Sequence, residues 1–150
     1  ADTLDPPENA QYISDYIDNR KESLARIRKR LHHLSRSDKQ TWMPVLLWNQ
    51  GLFFELHEWL EKEWTAETGS RKKALQACIL CAIVYEHLSY DRPGPARRLA
   101  QKTLSLLEDH INVLPGWVDA QVMIKALERL DPDPPLLDLP EKLSDRSRHD

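Results

Sequence analysis

One stretch of this 150-residue chain, GLFFELHEWLEKEW from Gly51 to Trp64, carries a histidine, four glutamates and two tryptophans. His57 and Glu61 stand four residues apart, so on a helix they lie one turn apart on one side and can reach a common divalent ion. His87 or Glu86 could add a third ligand, and Glu58 could serve as the acid/base carboxylate of a metal-dependent hydrolase. The string is not His-Glu-x-x-His, because residue 61 is Glu, nor is it the Glu-x-x-His pair of di-iron bundles. The same residues fit a plainer role. His57, Glu61, Trp64, Gln76 and His87 could form a hydrogen-bonded polar network that fixes the register of two helices, with Glu61 accepting from the Trp64 indole. The structural network is preferred over the metal centre.

The elements that hold these residues read as helices. Advancing about 100° per residue from Phe53, Leu56, His57, Leu60 and Trp64 fall within roughly 60° of it, and Glu61 at roughly 80°. Glu55, Glu58 and Lys62 come out on the far side, facing water or a neighbouring helix. His57 and Glu61 are thereby expected on the buried face or its edge, where a carboxylate needs a partner. The segment from Ala74 to Leu88 is apolar nearly all round, as a central helix should be. Its stripe Gln76, Leu80, Ile83 and His87 is expected to face the His57 helix.

Around this pair the pattern stays helical, and no strand pattern is convincing. Asp5-Pro-Pro-Glu8 has the form of a helix start, followed by Ile13, Ile17, Leu24, Ile27, Leu31 and Leu34 along one stripe of about 25 residues. Ser35 to Lys39 reads as a polar joint and Met43 to Asn49 as a short helix with Pro44 in its first turn, which Gly51 ends. Later helices are expected over Ala96 to His110 and Val118 to Leu130, separated by the turn DRPGP and the joint LPGWVD. Pro132, Pro134, Pro135 and Pro140 keep DPDPPLLDLP extended, with Leu136, Leu137 and Leu139 docking on the body.

Other chemistries find less support. Four glycines leave no phosphate-binding loop, and no nucleophile elbow is present. Cys78 and Cys81 have redox or zinc half-site spacing, but they sit mid-helix in the greasiest segment and read as buried apolar residues. A net charge of −3 argues against a general nucleic-acid binder. The basic run Arg26, Arg28, Lys29 and Arg30, near Tyr12 and Tyr16, offers a patch for RNA or another anionic partner, a reading set below the others; His32 and His33 beside it read as surface residues. The apolar run Ala77 to Tyr85 is far short of the ~20 residues that a membrane span needs. The cytoplasm is the expected location.

The strings NQGLFFELHEWLEKEW, LQACILCAIVYEHL, DRPGPARRLAQKTLSLLE and PGWVDAQVMIKALERL resemble domain-of-unknown-function family 309. That family carries Asn-x-Gly, an aromatic step into Glu-x-His-Glu, then Glu and Trp, and later a Pro-Gly-Ala turn. The resemblance runs from about Val45 to Leu139 and leaves the first forty residues outside. Ala77 stands where the family usually has Gly and Cys81 where it often has Gln, which implies a wider helix gap and a poorer polar site. The resemblance implies a small all-helical bundle, mostly bacterial and cytosolic, with no settled activity.

The expected fold is all-α: a compact bundle of five or six helices in consecutive helical hairpins, with a long N-terminal helix and an extended Pro-rich tail. Residues 1–40 read as a helical arm, 41–140 as the bundle and 141–150 as a flexible tail. The leading functional reading is a protein-interaction or self-association module, a homo-oligomer or the binder of a protein partner, rather than an enzyme. The rival is the metal-dependent hydrolase built on His57, Glu58, Glu61 and His87.

Overall fold

A computed structural model of the chain describes residues 6–32 and 34–140, with side chains from residue 18 onward. The expected cap at Asp5, the side chains of Tyr12, Ile13, Tyr16 and Ile17, His33 and the segment 141–150 lie outside the described residues. Among those described, the elements are α1 (Pro6–Leu31), α2 (Arg36–Asn49), α3 (Phe53–Thr65), α4 (Gly69–Ser89), α5 (Pro93–Asp109), a 3-10 turn (Ile111–Val113) and α6 (Ala120–Arg129), with no strand. The all-helical bundle is as expected. No described helix is long and apolar enough to cross a membrane.

Residues 35–39 correct the sequence reading, because they open a helix instead of joining two. Ser35 is extended, and its hydroxyl accepts the Asp38 backbone N–H at 3.1 Å. That is an N-cap, satisfying one of the donors a helix start leaves orphaned. Pro44 therefore lies inside α2 rather than in its first turn. It withholds one donor from the Gln40 carbonyl, and burial of the Pro44 ring accompanies that loss. At the other end, Gly51 takes φ +73°, with Gly51 N–H bonded to the Trp48 carbonyl and Leu52 N–H to that of Leu47, both at 2.9 Å. This 5→2 and 6→1 pair is a Schellman close, and it turns the chain sharply from α2 into α3.

α4 buries Ala74, Leu75, Ala77, Cys78, Ile79, Cys81, Ala82, Val84 and Tyr85, most of its circumference, and has α3 and α5 as principal neighbours. α5 meets it through Ala96, Ala100, Thr103 and Leu107, a stripe of mostly small residues that lets two helix axes approach. The Thr103 hydroxyl donates to the Leu99 carbonyl at 2.7 Å, so this fully buried polar group is satisfied within its own helix. α3 contributes Phe53, Leu56 and Leu60 to the same core. Each fully buried leucine adds about 1.5–3 kcal/mol of transfer free energy. An aromatic cluster closes one end: Trp48 packs edge-on against Phe53 and Tyr85, with centroids 5.1 and 5.2 Å apart.

α1 attaches to this body through Ile27 and Leu31, both buried in the core. Arg20 pairs with Glu55 on α3, and the Arg26 guanidinium donates to the Gln50 side chain at 3.0 Å. Beyond α6, residues 131–140 form neither helix nor strand and bend at 132–133, with Leu137 buried, Leu139 partly buried and Leu136 exposed.

Candidate functional site

His57 sits where α3 faces α4, about one-fifth exposed, and both ring nitrogens look at carboxylates. Nε2 lies 3.4 Å from Glu61 on its own helix, and Nδ1 lies 3.9 Å from Glu86 on α4. The Phe54 ring stands edge-on to the imidazole at 6.1 Å. Nδ1 is buried and makes no hydrogen bond within the described structure. The cross-helix contact is thus electrostatic, and it strengthens when the imidazole is charged.

The expected companions of His57 are distributed differently. Glu61 is more than half exposed, on the rim of the interface rather than inside it. At roughly 80° around the helix it was an edge position, and its side chain follows the solvent side. Trp64 is half-buried, and its indole N–H is buried without a partner among the described residues, so the expected bond to Glu61 is not formed. The Lys72 ammonium instead stands 4.2 Å over the Trp64 ring, a cation–π contact. Gln76, Leu80, Ile83 and His87 form the half-exposed stripe of α4, while α4 reaches His57 through Glu86. Glu58 is exposed and, with Glu55, Trp59, Glu61, Lys62 and Thr65, lines an open depression on the outer face of α3.

Among the described residues no group of three or more His, Cys, Asp or Glu side chains is placed to hold a metal ion. Geometry explains this. The two carboxylates approach opposite nitrogens of one ring, and a single ion cannot be coordinated by both edges of an imidazole at once. Cys78 and Cys81 are free and buried. Burial pushes the Cys81 thiol up to about 12 and the Cys78 thiol well above its ordinary range, so neither offers a thiolate near neutral pH. One carboxyl is perturbed. Glu63 has its pKa raised because partial burial disfavours its charge, an effect that the hydrogen bond with Trp59 and the nearby Arg71 partly offset. Glu63 keeps an exposed flank.

With the α2–α5 arrangement and the His57 contacts defined, the sequence can be set against known families. Residues 42–99 match the model of Domain of unknown function (DUF309). The matched part of the chain holds α2 from Trp42, all of α3 and α4, and the first turns of α5. It includes His57, Glu61, Trp64 and Glu86, whereas most of α5, α6 and the tail lie beyond it. No curated protein and no solved structure matches the chain.

A second cluster, joining the matched residues to the tail beyond them, was not legible as a site. The Trp48 indole N–H donates to the Pro135 carbonyl at 2.7 Å. The Asn49 side chain does two things at once. Its amide nitrogen donates to the Leu137 carbonyl at 2.9 Å, and its amide oxygen accepts the Leu137 N–H at 2.8 Å. An asparagine amide that pairs with both main-chain groups of one residue imitates a strand neighbour. Partners nearly ninety residues apart leave no mark in the local pattern. Asn49-x-Gly51 marks a helix end and part of a family pattern, but nothing in it points to the tail. Beside this contact, Trp42, Trp117, Val118, Val122 and the tail enclose an open groove of about 620 Å³.

Proposed function

We propose that the chain is a helical protein-interaction module that associates with a second copy of itself through the end of the bundle where α2, α6 and the tail meet. One observation carries the reading: Leu136 is 76% exposed at the edge of the groove lined by Trp42 and Trp117. An isolated leucine on a surface means little, but one projecting beside a concave aromatic surface is the knob-and-groove pair of an interface. Because each copy carries both knob and groove, two copies can satisfy each other about a two-fold axis. The His57 cluster then serves as a lock between α3 and α4, with no reacting group assigned to it.

Light scattering across a concentration series tests this. The wild-type chain should show mass rising toward that of a dimer, and Leu136→Asp should hold it at the monomer mass while leaving the helical circular-dichroism spectrum unchanged. A monomeric wild-type chain at high concentration would refute the reading.

A further inference from the structure

The Trp48–Asn49 contact has the design of a peptide-recognition site, and the observations define what it recognises. Three hydrogen bonds reach the main chain of the bound segment, at the Pro135 carbonyl and at both polar groups of Leu137. Main-chain pairing of this kind selects an extended backbone, not a side-chain identity. Identity is added in two places. Pro134 and Pro135 pre-set the extended conformation, and a tryptophan N–H donating to a proline carbonyl is the usual way aromatic-lined grooves hold such segments. Leu137, 6% exposed, supplies the apolar anchor, while its neighbour Leu136 points away from the body. The site is therefore specific for an extended Pro-Pro-x-Leu segment.

Its occupant in the structure is the chain's own tail, held by these three hydrogen bonds and the buried Leu137 and joined to α6 through a short turn. Leu130 ends α6 at φ 50°, ψ 43°, a left-handed conformation that a leucine side chain disfavours. Asp131 to Pro134 then span the gap, with the Asp131 carboxylate accepting the Asp133 N–H at 3.0 Å in a tight local turn. A short hinge with a strained residue, followed by a segment whose bonds are all to one small surface, is the arrangement that favours exchange between copies.

We infer that the Trp48–Asn49 surface is a binding site for an extended Pro-Pro-x-Leu segment and that a second copy of this chain delivers that segment, the two tails exchanging about a two-fold axis. This rests on the self-association reading and specifies its mechanism. Each copy brings one receptor and one matching segment, so exchange closes at two and leaves no bond unmade. In a monomer the tethered tail competes at an effective concentration on the order of millimolar, so a free peptide should bind the wild-type chain only weakly.

Complementation between two full-length variants tests the inference. Asn49→Ala cripples the receptor and keeps the tail, whereas Leu137→Asp cripples the tail and keeps the receptor. Each alone should be monomeric by light scattering, and an equimolar mixture should form a heterodimer in which the N49A tail occupies the L137D receptor. A fluorescent peptide of residues 131–140 should bind L137D at least tenfold more tightly than wild type, and N49A/L137D should lose that gain. If wild type dimerises and both single variants still dimerise, association uses the surface around Leu136 without exchange, and the inference falls while the reading above it stands. If the peptide binds L137D but the mixture stays monomeric, the segment is not delivered in trans, which also overturns it. Should L137D fail to fold, hydrogen exchange at the wild-type Leu137 amide decides: exchange through a local opening, faster than the α4 core amides, supports a releasable tail. Exchange only with global unfolding makes the tail core structure and ends the proposal.

Discussion

Tyr85→Phe should make this protein more stable, an unusual sign for a substitution in the middle of a core. Tyr85 is 1% exposed, and its ring packs against Trp48 at 5.2 Å and Phe53 at 5.7 Å. Its hydroxyl is buried without a hydrogen-bond partner among the described residues, and burial, helped by Cys81 and Asp131, pushes the phenol up to about 12. An unpaired buried hydroxyl costs about 1–3 kcal/mol by mutational measure. Phenylalanine keeps every ring contact and removes that cost, so a gain of about 1 kcal/mol is expected. With a urea dependence of about 1–3 kcal/mol/M for a domain of this size, the unfolding midpoint should rise by roughly 0.3–1 M at unchanged slope. Tyr85→Ala should lower it sharply, since about 3–5 kcal/mol of aromatic packing would go. A fall in midpoint for Tyr85→Phe would show that the hydroxyl has a partner, such as a trapped water, and would refute the reasoning.

Other groups give further expectations. Tyr85 and Cys81 both ionise only near 12 in the fold, against ordinary values of 10 and 9, so the unfolded chain releases those protons first. Stability is then fully present below about pH 9 and lost as pH rises toward 12, a decline that urea midpoints should show and that Cys81→Ala should lessen. Glu63 has the same sign at acid pH: its pKa is raised, so the folded chain keeps the proton longer and loses stability as pH climbs through the window just above 4.5. Glu63→Gln should consequently stabilise at pH 7 and be neutral at pH 3; equal effects at both would exclude the burial effect. Arg20→Ala should cost no more than about 1 kcal/mol, and the loss should shrink in 1 M salt, because Arg20 is 40% exposed where it meets Glu55.

Much of the fold was legible because helices are written locally. Apolar residues at three- and four-residue steps marked α3 and α5, and a segment apolar on every side marked α4 as central. The caps were half legible. Gly51 ended α2 as expected, but Ser35 was read as part of a joint. Its partner, the Asp38 N–H, is a backbone group that no residue type announces, and Pro44 suits a helix start close by. The candidate site divides in the same way. His57 could be placed on the α4-facing side of its helix from spacing alone. Its α4 neighbour could not, because Glu86 and His87 are adjacent in sequence and about 100° apart around the helix, and only the rotation of α4 decides between them.

What the amino-acid order by itself determined is therefore what repeats within a few residues: helix type, apolar faces, the buried thiols and a stretch that proline keeps out of helix. The tertiary structure decided which groups meet. It gave His57 a carboxylate at each ring edge, left Glu61 in solvent, and laid Leu137 against Asn49 from the far end of the chain. The reason is energetic. Burying the apolar faces fixes how each helix is rotated, since that term involves many residues and is the largest single contribution to folding. Individual polar pairs are worth about a kcal/mol each, so they form wherever that packing happens to bring them together.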